Sequence, residues 1–269
     1  MEEEVRHEGA TLSMATSQLR SAMDRGLRSL SLLHRSRKAR RIVDLALRGI
    51  EVEPIPPCLD KGQRAILVSN YPSIPATLWG MMKVLCRLPG EKVRLKAVGR
   101  SEAVNGANAL LRALGFESLI FPVQKDEVGV YRLNRDVSKE ILAYLDQPGH
   151  LLWLSMTGRT RGNGLLEQDL RTGAAQFSTR TGVPLVPVGL VTRERKAKLT
   201  VVRVRFGEPI SPPHVQELDD LHKADLLIDF SRVAMCQIAR LLPRGQRGDF
   251  DNADEKLREA IRRLRAYPL

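Results

Sequence analysis

The chain has 269 residues, 43% of them hydrophobic, which supports one sizeable core and argues against two full domains. Forty-three Lys and Arg against 31 Asp and Glu give a net charge of +12 and an isoelectric point near 10.0, so the surface favours phosphate, coenzyme A, anionic lipid or nucleic acid. Cys58, Cys86 and Cys236 follow neither C-x-x-C nor Cys/His spacing, which indicates no metal site and predicts free thiols in a reducing compartment.

The opening MEEEVRHEG is acidic where a secretory leader would be basic and then apolar, and no stretch approaches the roughly 20 apolar residues that span a bilayer. A cytoplasmic protein, peripheral on a membrane at most, is the expectation. Met1 to Ala10 is expected to be disordered. From Thr11 to Arg48 the pattern is helical and basic, with nine Lys or Arg and two acids between Arg20 and Arg48. Leu19, Met23, Leu27 and Leu30 form an apolar stripe flanked by arginines, the pattern of a helix lying on a membrane or packed on the domain.

From Gly49 onward short β-branched runs alternate with helical ones. GIEVEPI, AILVS, RLKAV, ESLIF, HLLWLS, VPLVPVGLV and TVVRVRF are the predicted strands. Thr77 to Leu88, Glu102 to Leu114, Val130 to Leu145 and Gln168 to Thr181 are predicted helices between them, and Ala224 to Leu242 and Asp251 to Ala266 follow. This alternation predicts an α/β fold, a mixed and largely parallel sheet of about seven strands flanked by helices. The organisation expected is a basic helical arm over residues 1–48, an α/β domain over 49–247 and a charged, mostly exposed helix over 248–269.

Ligands of open α/β sheets bind beyond the carboxyl ends of strands, which makes the loop in AILVSNYPSIPATLW a candidate site rim. Ser73 in that loop is either a turn cap or a replacement nucleophile. LLWLSMTGRTRGNG places Gly158, Arg159 and Arg161 after a strand, where small residues and guanidinium forks suit a phosphate. His214 and Asp219 have H-x-x-x-x-D spacing but follow Pro212 and Pro213 at a helix start, where two side chains five apart do not converge. His150, entering a strand after Pro148 and Gly149, is read as structural.

Four ordered blocks, from about residue 45 to residue 213, resemble the glycerolipid acyltransferase family, the glycerol-3-phosphate and 1-acylglycerol-3-phosphate acyltransferases. That family places N-H-x-S-x-x-D at the first strand-to-helix turn; Asn70 and Ser73 match, but Tyr71 stands at the catalytic histidine and Ala76 at its aspartate. LKAVGRSEAVNGANALLRALGFESLIFPVQK resembles the segment running from a characteristic lysine, Lys96, to a phosphate-binding arginine, whose nearest counterpart is Lys125. In the third block Gly158, Arg159, Arg161, Gly173, Ala174, Val183, Pro184, Pro187 and Val188 match, while the family's glutamate falls on Met156 or Thr157. VRVRFGEPISPP matches the late strand and its G-E-P-I turn, with Glu208 and Pro209 structural.

The resemblance implies an acyltransferase-like protein that binds a phosphate-bearing glycerolipid acceptor, an acyl thioester or both at a membrane surface. Acyl-coenzyme A or acyl carrier protein would be the co-substrate, without a further cofactor. Tyrosine is mostly protonated at neutral pH at its ordinary pKa near 10, and alanine supplies no orienting charge, so the usual His/Asp catalysis is expected to be lost. The alternatives are a non-catalytic lipid-binding or scaffold protein, and nucleic-acid binding through the basic arm, which aromatics at 4% support poorly.

Overall fold

The computed structural model describes residues 32–90, 93–100, 115, 119–125, 131–157, 163–195, 198–215 and 219–267. The stripe of Leu19, Met23, Leu27 and Leu30 and the helix expected over Glu102 to Leu114 lie outside them. In chain order the elements are α1 (Leu32–Arg35), α2 (Arg37–Ala46), β1 (Glu51–Val52), α3 (Pro57–Asp60), β2 (Ala65–Ser69), α4 (Ile74–Arg87), β3 (Arg94–Arg100) and β4 (Ile120–Lys125). They continue with β5 (Tyr131–Arg132), α5 (Arg135–Leu145), β6 (His150–Ser155), α6 (Gly173–Thr181), β7 (Leu185–Arg195), β8 (Lys198–Phe206), α7 (Asp220–Leu241) and α8 (Ala253–Ala266).

The sheet is mixed, with eight strands in the order β1-β8-β7-β2-β6-β3-β4-β5, so the expected α/β architecture is present. Strands β7, β2, β6, β3 and β4 are mutually parallel, while β8 and β5 pair antiparallel with β7 and β4. The eighth strand is β5, two residues that the sequence pattern assigns to the following helix. Asn134 separates the two, its side chain accepting the Val137 N–H at 2.7 Å and so starting α5 at Arg135. GIEVEPI contracts to Glu51 and Val52, tied to β8 by the Arg203–Glu51 and Arg205–Glu53 ion pairs.

All five residues of β2 are buried, as a parallel strand covered on both faces requires. Alternation along the strand sends Ala65 and Leu67 to one apolar cluster, under α2 and α4, and Ile66 and Val68 to the other, under α5, α6, α7 and α8. Gly80 lets α4 close on the sheet, since a Cβ there would lie 2.7 Å from Leu190 Cδ2. Within the expected arm, Leu33, Ala39 and Val43 belong to the first cluster. The C-terminal α8 is mostly exposed but lays Ala253, Leu257 and Ala260 into the second cluster against α7.

Candidate active site

Strand β2 leaves through α4 to β3, beyond β6, and β6 leaves through α6 to β7, beyond β2. Two neighbouring strands thus send their connections in opposite directions, the switch point over whose carboxyl ends open α/β sheets carry their binding crevice. Ser69 and Ser155 face each other in the ladder there, and the Met156 N–H donates to the Ser69 carbonyl at 3.0 Å.

The floor of this crevice is rigid. Asn70 is 1% exposed, and its amide accepts the Leu190 N–H at 2.8 Å and donates to the Leu190 carbonyl at 3.0 Å, completing the β7 edge where β2 stops. The Trp153 indole N–H donates to Ser69 Oγ at 2.9 Å. Tyr71 follows, half-buried. Ser73 is the N-cap of α4: its Oγ accepts the Ala76 N–H at 3.2 Å, which is the turn-cap role. Ala76, which the sequence resemblance aligns with an aspartate, is 1% exposed within the first apolar cluster and is core.

Met156 and Thr157, the two positions that the sequence resemblance aligns with a glutamate, are also buried. Met156 packs in the second cluster, and Thr157 is bridged to Leu170, with the Arg171 N–H bonded to the Met156 carbonyl at 2.9 Å. Thr157 and Leu170 are therefore neighbours at the end of β6. Gly158, Arg159 and Arg161 lie outside the described residues. For Lys125 only the backbone is described. It closes β4, which lies across from β2 beyond β6 and β3 in the sheet.

Two contributors to the crevice go unnoticed in the sequence. Arg100 ends β3 level with Met156, because Arg94 pairs with His150; the pattern RLKAV stops the strand two residues early, and only the ladder register extends it. The second is the start of α6. At α4, Ser73 and Pro75 consume the first-turn donors, leaving little for an anion. At α6, Thr172 makes no side-chain cap, and a Cβ on Gly173 would meet nothing within 4 Å. The N–H groups of Gly173, Ala174 and Ala175 with the helix dipole form an anion-favouring end. The matching G-A dipeptide was a signal for this site, legible in the lack of a Cβ.

No described histidine reaches the crevice. His150 opens β6 at the opposite end, about 16 Å away; its Nδ1 lies 2.8 Å from the Tyr144 carbonyl and its ring stacks on Tyr144 at 4.2 Å. Burial lowers its pKa, helped by the charges of Arg94 and Lys96. His34 accepts the Leu95 N–H at 3.1 Å through Nε2, and burial, then Arg94 and Arg40, lower its pKa to about 3. Lys96 rests its ammonium 4.6 Å from the Phe121 ring centroid. Asp219 caps α7, accepting from the His222 backbone N–H at 2.8 Å and lying 2.6 Å from His222 Nδ1, so it is engaged by His222 and not by the exposed His214.

Among the described residues no group of three or more His, Cys, Asp or Glu could hold a metal, and no helix is long and apolar enough to cross a membrane. No family model matches the chain, and no curated protein matches it. Among solved structures it is similar to the crystal structure of the 1-acyl-sn-glycerophosphate (LPA) acyltransferase PlsC from Thermotoga maritima. The identity is 14%, with 86% of this chain and 83% of that chain covered, and the TM-score is 0.41.

Proposed function

We propose that the crevice over β2 and β6 binds a phosphate-bearing glycerolipid acceptor, an acyl thioester or both, in an acyltransferase-like protein that works at a membrane surface without His/Asp catalysis. The observation that carries this reading is the pairing of an uncapped α6 start with a crevice whose chemical positions are Tyr71 and a core alanine, Ala76. Arg159, Arg161 and the backbone of Gly158, which lie in the sequence between β6 and α6, are the phosphate ligands of this reading, with Lys125 as a further cation. The phosphate is held by charge-assisted contacts to these groups. A general base to deprotonate an acceptor hydroxyl has no counterpart among the described histidines. The burial of Ala76 and Met156 supports the second reading, a non-catalytic lipid-binding or scaffold protein, equally well.

Calorimetric titration with glycerol 3-phosphate, lysophosphatidate and acyl-coenzyme A tests the binding. Charge-assisted contacts contribute about 1.5 to 3 kcal/mol each, so Arg159→Ala with Arg161→Ala should cost at least about tenfold in affinity for a phosphorylated ligand. Unchanged affinity would place the ligand elsewhere. A transfer assay with labelled acyl-coenzyme A separates the two readings, since product above background requires an enzyme.

A further inference from the structure

A second surface, at the β1/β8 edge, has an anion-binding character of its own. The buried positions of α2 are Ala39, Arg40 and Val43, so Lys38, Arg41, Ile42 and Leu45 turn outward. Ile42 is 69% exposed and Leu45 67% exposed, where a helix facing only water would carry polar groups. Beside them lies an open groove of about 720 Å³, lined by Arg41, Arg48, Lys83 and Arg87 as its cations and by Asp44 and Glu51 as its acids.

Both acids are engaged. Asp44 Oδ1 lies 2.7 Å from Lys83 Nζ and 3.2 Å from Arg87 Nε, and Glu51 pairs with Arg203 at 2.7 Å. Arg41 and Arg48 have no side-chain partner among the described residues. The groove therefore presents uncompensated positive charge next to two bare aliphatic side chains.

We propose that this face, formed by Arg41, Arg48, Ile42 and Leu45 of α2 and its C-terminal turn, docks on an anionic phospholipid bilayer. The arginines take lipid phosphates into the groove, and the two aliphatic side chains enter the acyl boundary. Charge complementarity selects an anionic occupant, and the exposed Ile42 and Leu45 select a bilayer over a soluble phosphate or a nucleic acid, neither of which would cover them. The inference rests on the membrane-surface part of the proposed function and not on ligand binding at the strand-end crevice. Lys83 and Arg87 lie ten and fourteen residues along α4 from Ser73, about 15 and 21 Å at the helical rise.

The test is flotation of the full chain with vesicles of phosphatidylcholine alone and of phosphatidylcholine and phosphatidylglycerol in equal parts, over a salt series. Arg41→Ala with Arg48→Ala should lower affinity for the anionic vesicles about thirtyfold at low salt. Ile42→Ser with Leu45→Ser should remove the binding that survives high salt. Leu221→Ser, equally exposed but on α7, should change nothing. The arm upstream is intact in every variant, so a loss belongs to this face, and unchanged thermal melts confirm that these exposed positions do not unfold the chain. The proposal is overturned if both double variants bind like the wild type. It is also overturned if single-stranded DNA displaces the vesicles while Ile42→Ser with Leu45→Ser has no effect, which marks a general polyanion surface.

Discussion

The two ends of the central strands use polar chemistry in contrasting ways. Where β3 and β6 begin, buried ionisable groups are dense and engaged: His34 on the Leu95 amide, Arg40 on the Leu33 and Leu88 carbonyls, Tyr144 on the Arg94 carbonyl, and His150 against Tyr144. Where β2 and β6 end, Ala76, Met156 and Thr157 are buried and none of them is ionisable. Perturbed ionisation commonly marks functional sites, but here the strongest shifts, in His34 and Tyr144, belong to the end that fastens the N-terminal helices and α5 to the sheet. In this molecule the most perturbed groups hold the fold together, at the end of the strands away from the proposed site.

The sharpest way to break that contrast is to introduce an acid at the strand-end site. Ala76→Asp alone places a carboxylate at a 1% exposed position in an apolar cluster, beside no described histidine. An unpaired buried charge costs about 3 to 5 kcal/mol, or the group stays protonated. A denaturant titration should show a loss of that order that shrinks in acid. An unchanged midpoint would show that the pocket is open enough to hydrate an acid.

A smaller effect is expected at the other polar site of the first layer. Lys83 is 2% exposed and held by Asp44 at 2.7 Å. Asp44→Ala should cost about 3 kcal/mol, because the lysine stays buried without its counter-ion. Adding Lys83→Met should recover most of it, as an apolar isostere removes the charge. Failure of the second change to rescue would assign the loss to α2 packing.

These sites also show what a sequence can display. The strand-helix alternation was legible because β-branched runs such as AILVS and HLLWLS are bounded by turn residues, and because parallel strands are buried on both faces. The contraction of β1 to two residues was not, since it pairs with Arg203 and Val204 far along the chain, and neither was β5, whose two residues pair back on Gln124 and Lys125. In the crevice, Asn70, Tyr71, Ser73 and Ala76 are local in sequence and stood out. Arg100 needed the ladder register, and burial of Lys83 needed the tertiary partner Asp44.

Acid should separate the strand-start network from the rest of the fold. His34 is neutral in the folded chain, with a pKa of about 3, and returns to its ordinary value near 6.5 on unfolding. The unfolded state therefore binds the extra proton, so this contribution is complete above about pH 6.5 and is lost as pH falls toward 3, at about 1.4 kcal/mol per pH unit. His150, also shifted downward, adds in the same direction. His34→Gln retains an acceptor for the Leu95 N–H without the titration, and its stability should fall less steeply with acid. Parallel acid limbs for the two proteins would remove His34 from the network.

The smallest expected effect is the most informative about the crevice. Tyr71 is half-buried next to the Asn70 anchor, and the sequence resemblance aligns it with a catalytic base. If its ring fills the space, Tyr71→Phe should leave any measured transfer and ligand affinity unchanged and stability within about 1 kcal/mol, the size of one net hydrogen bond. For the hydroxyl to act as a base, its pKa would have to be lowered by several units, which requires neighbouring cations such as Arg159 or Arg161. That case has its own signature: wild-type turnover that collapses in Tyr71→Phe, with a pH profile whose alkaline-rising limb moves upward in Arg159→Ala. Tyr71→His with Ala76→Asp rebuilds a base and its orienting acid, and pairing within that couple should offset part of the cost of Ala76→Asp alone. A double variant more stable than the single one would show that the two positions still face each other across the first turn of α4. Additive losses would show that the geometry of the pair, and not only its chemistry, has gone.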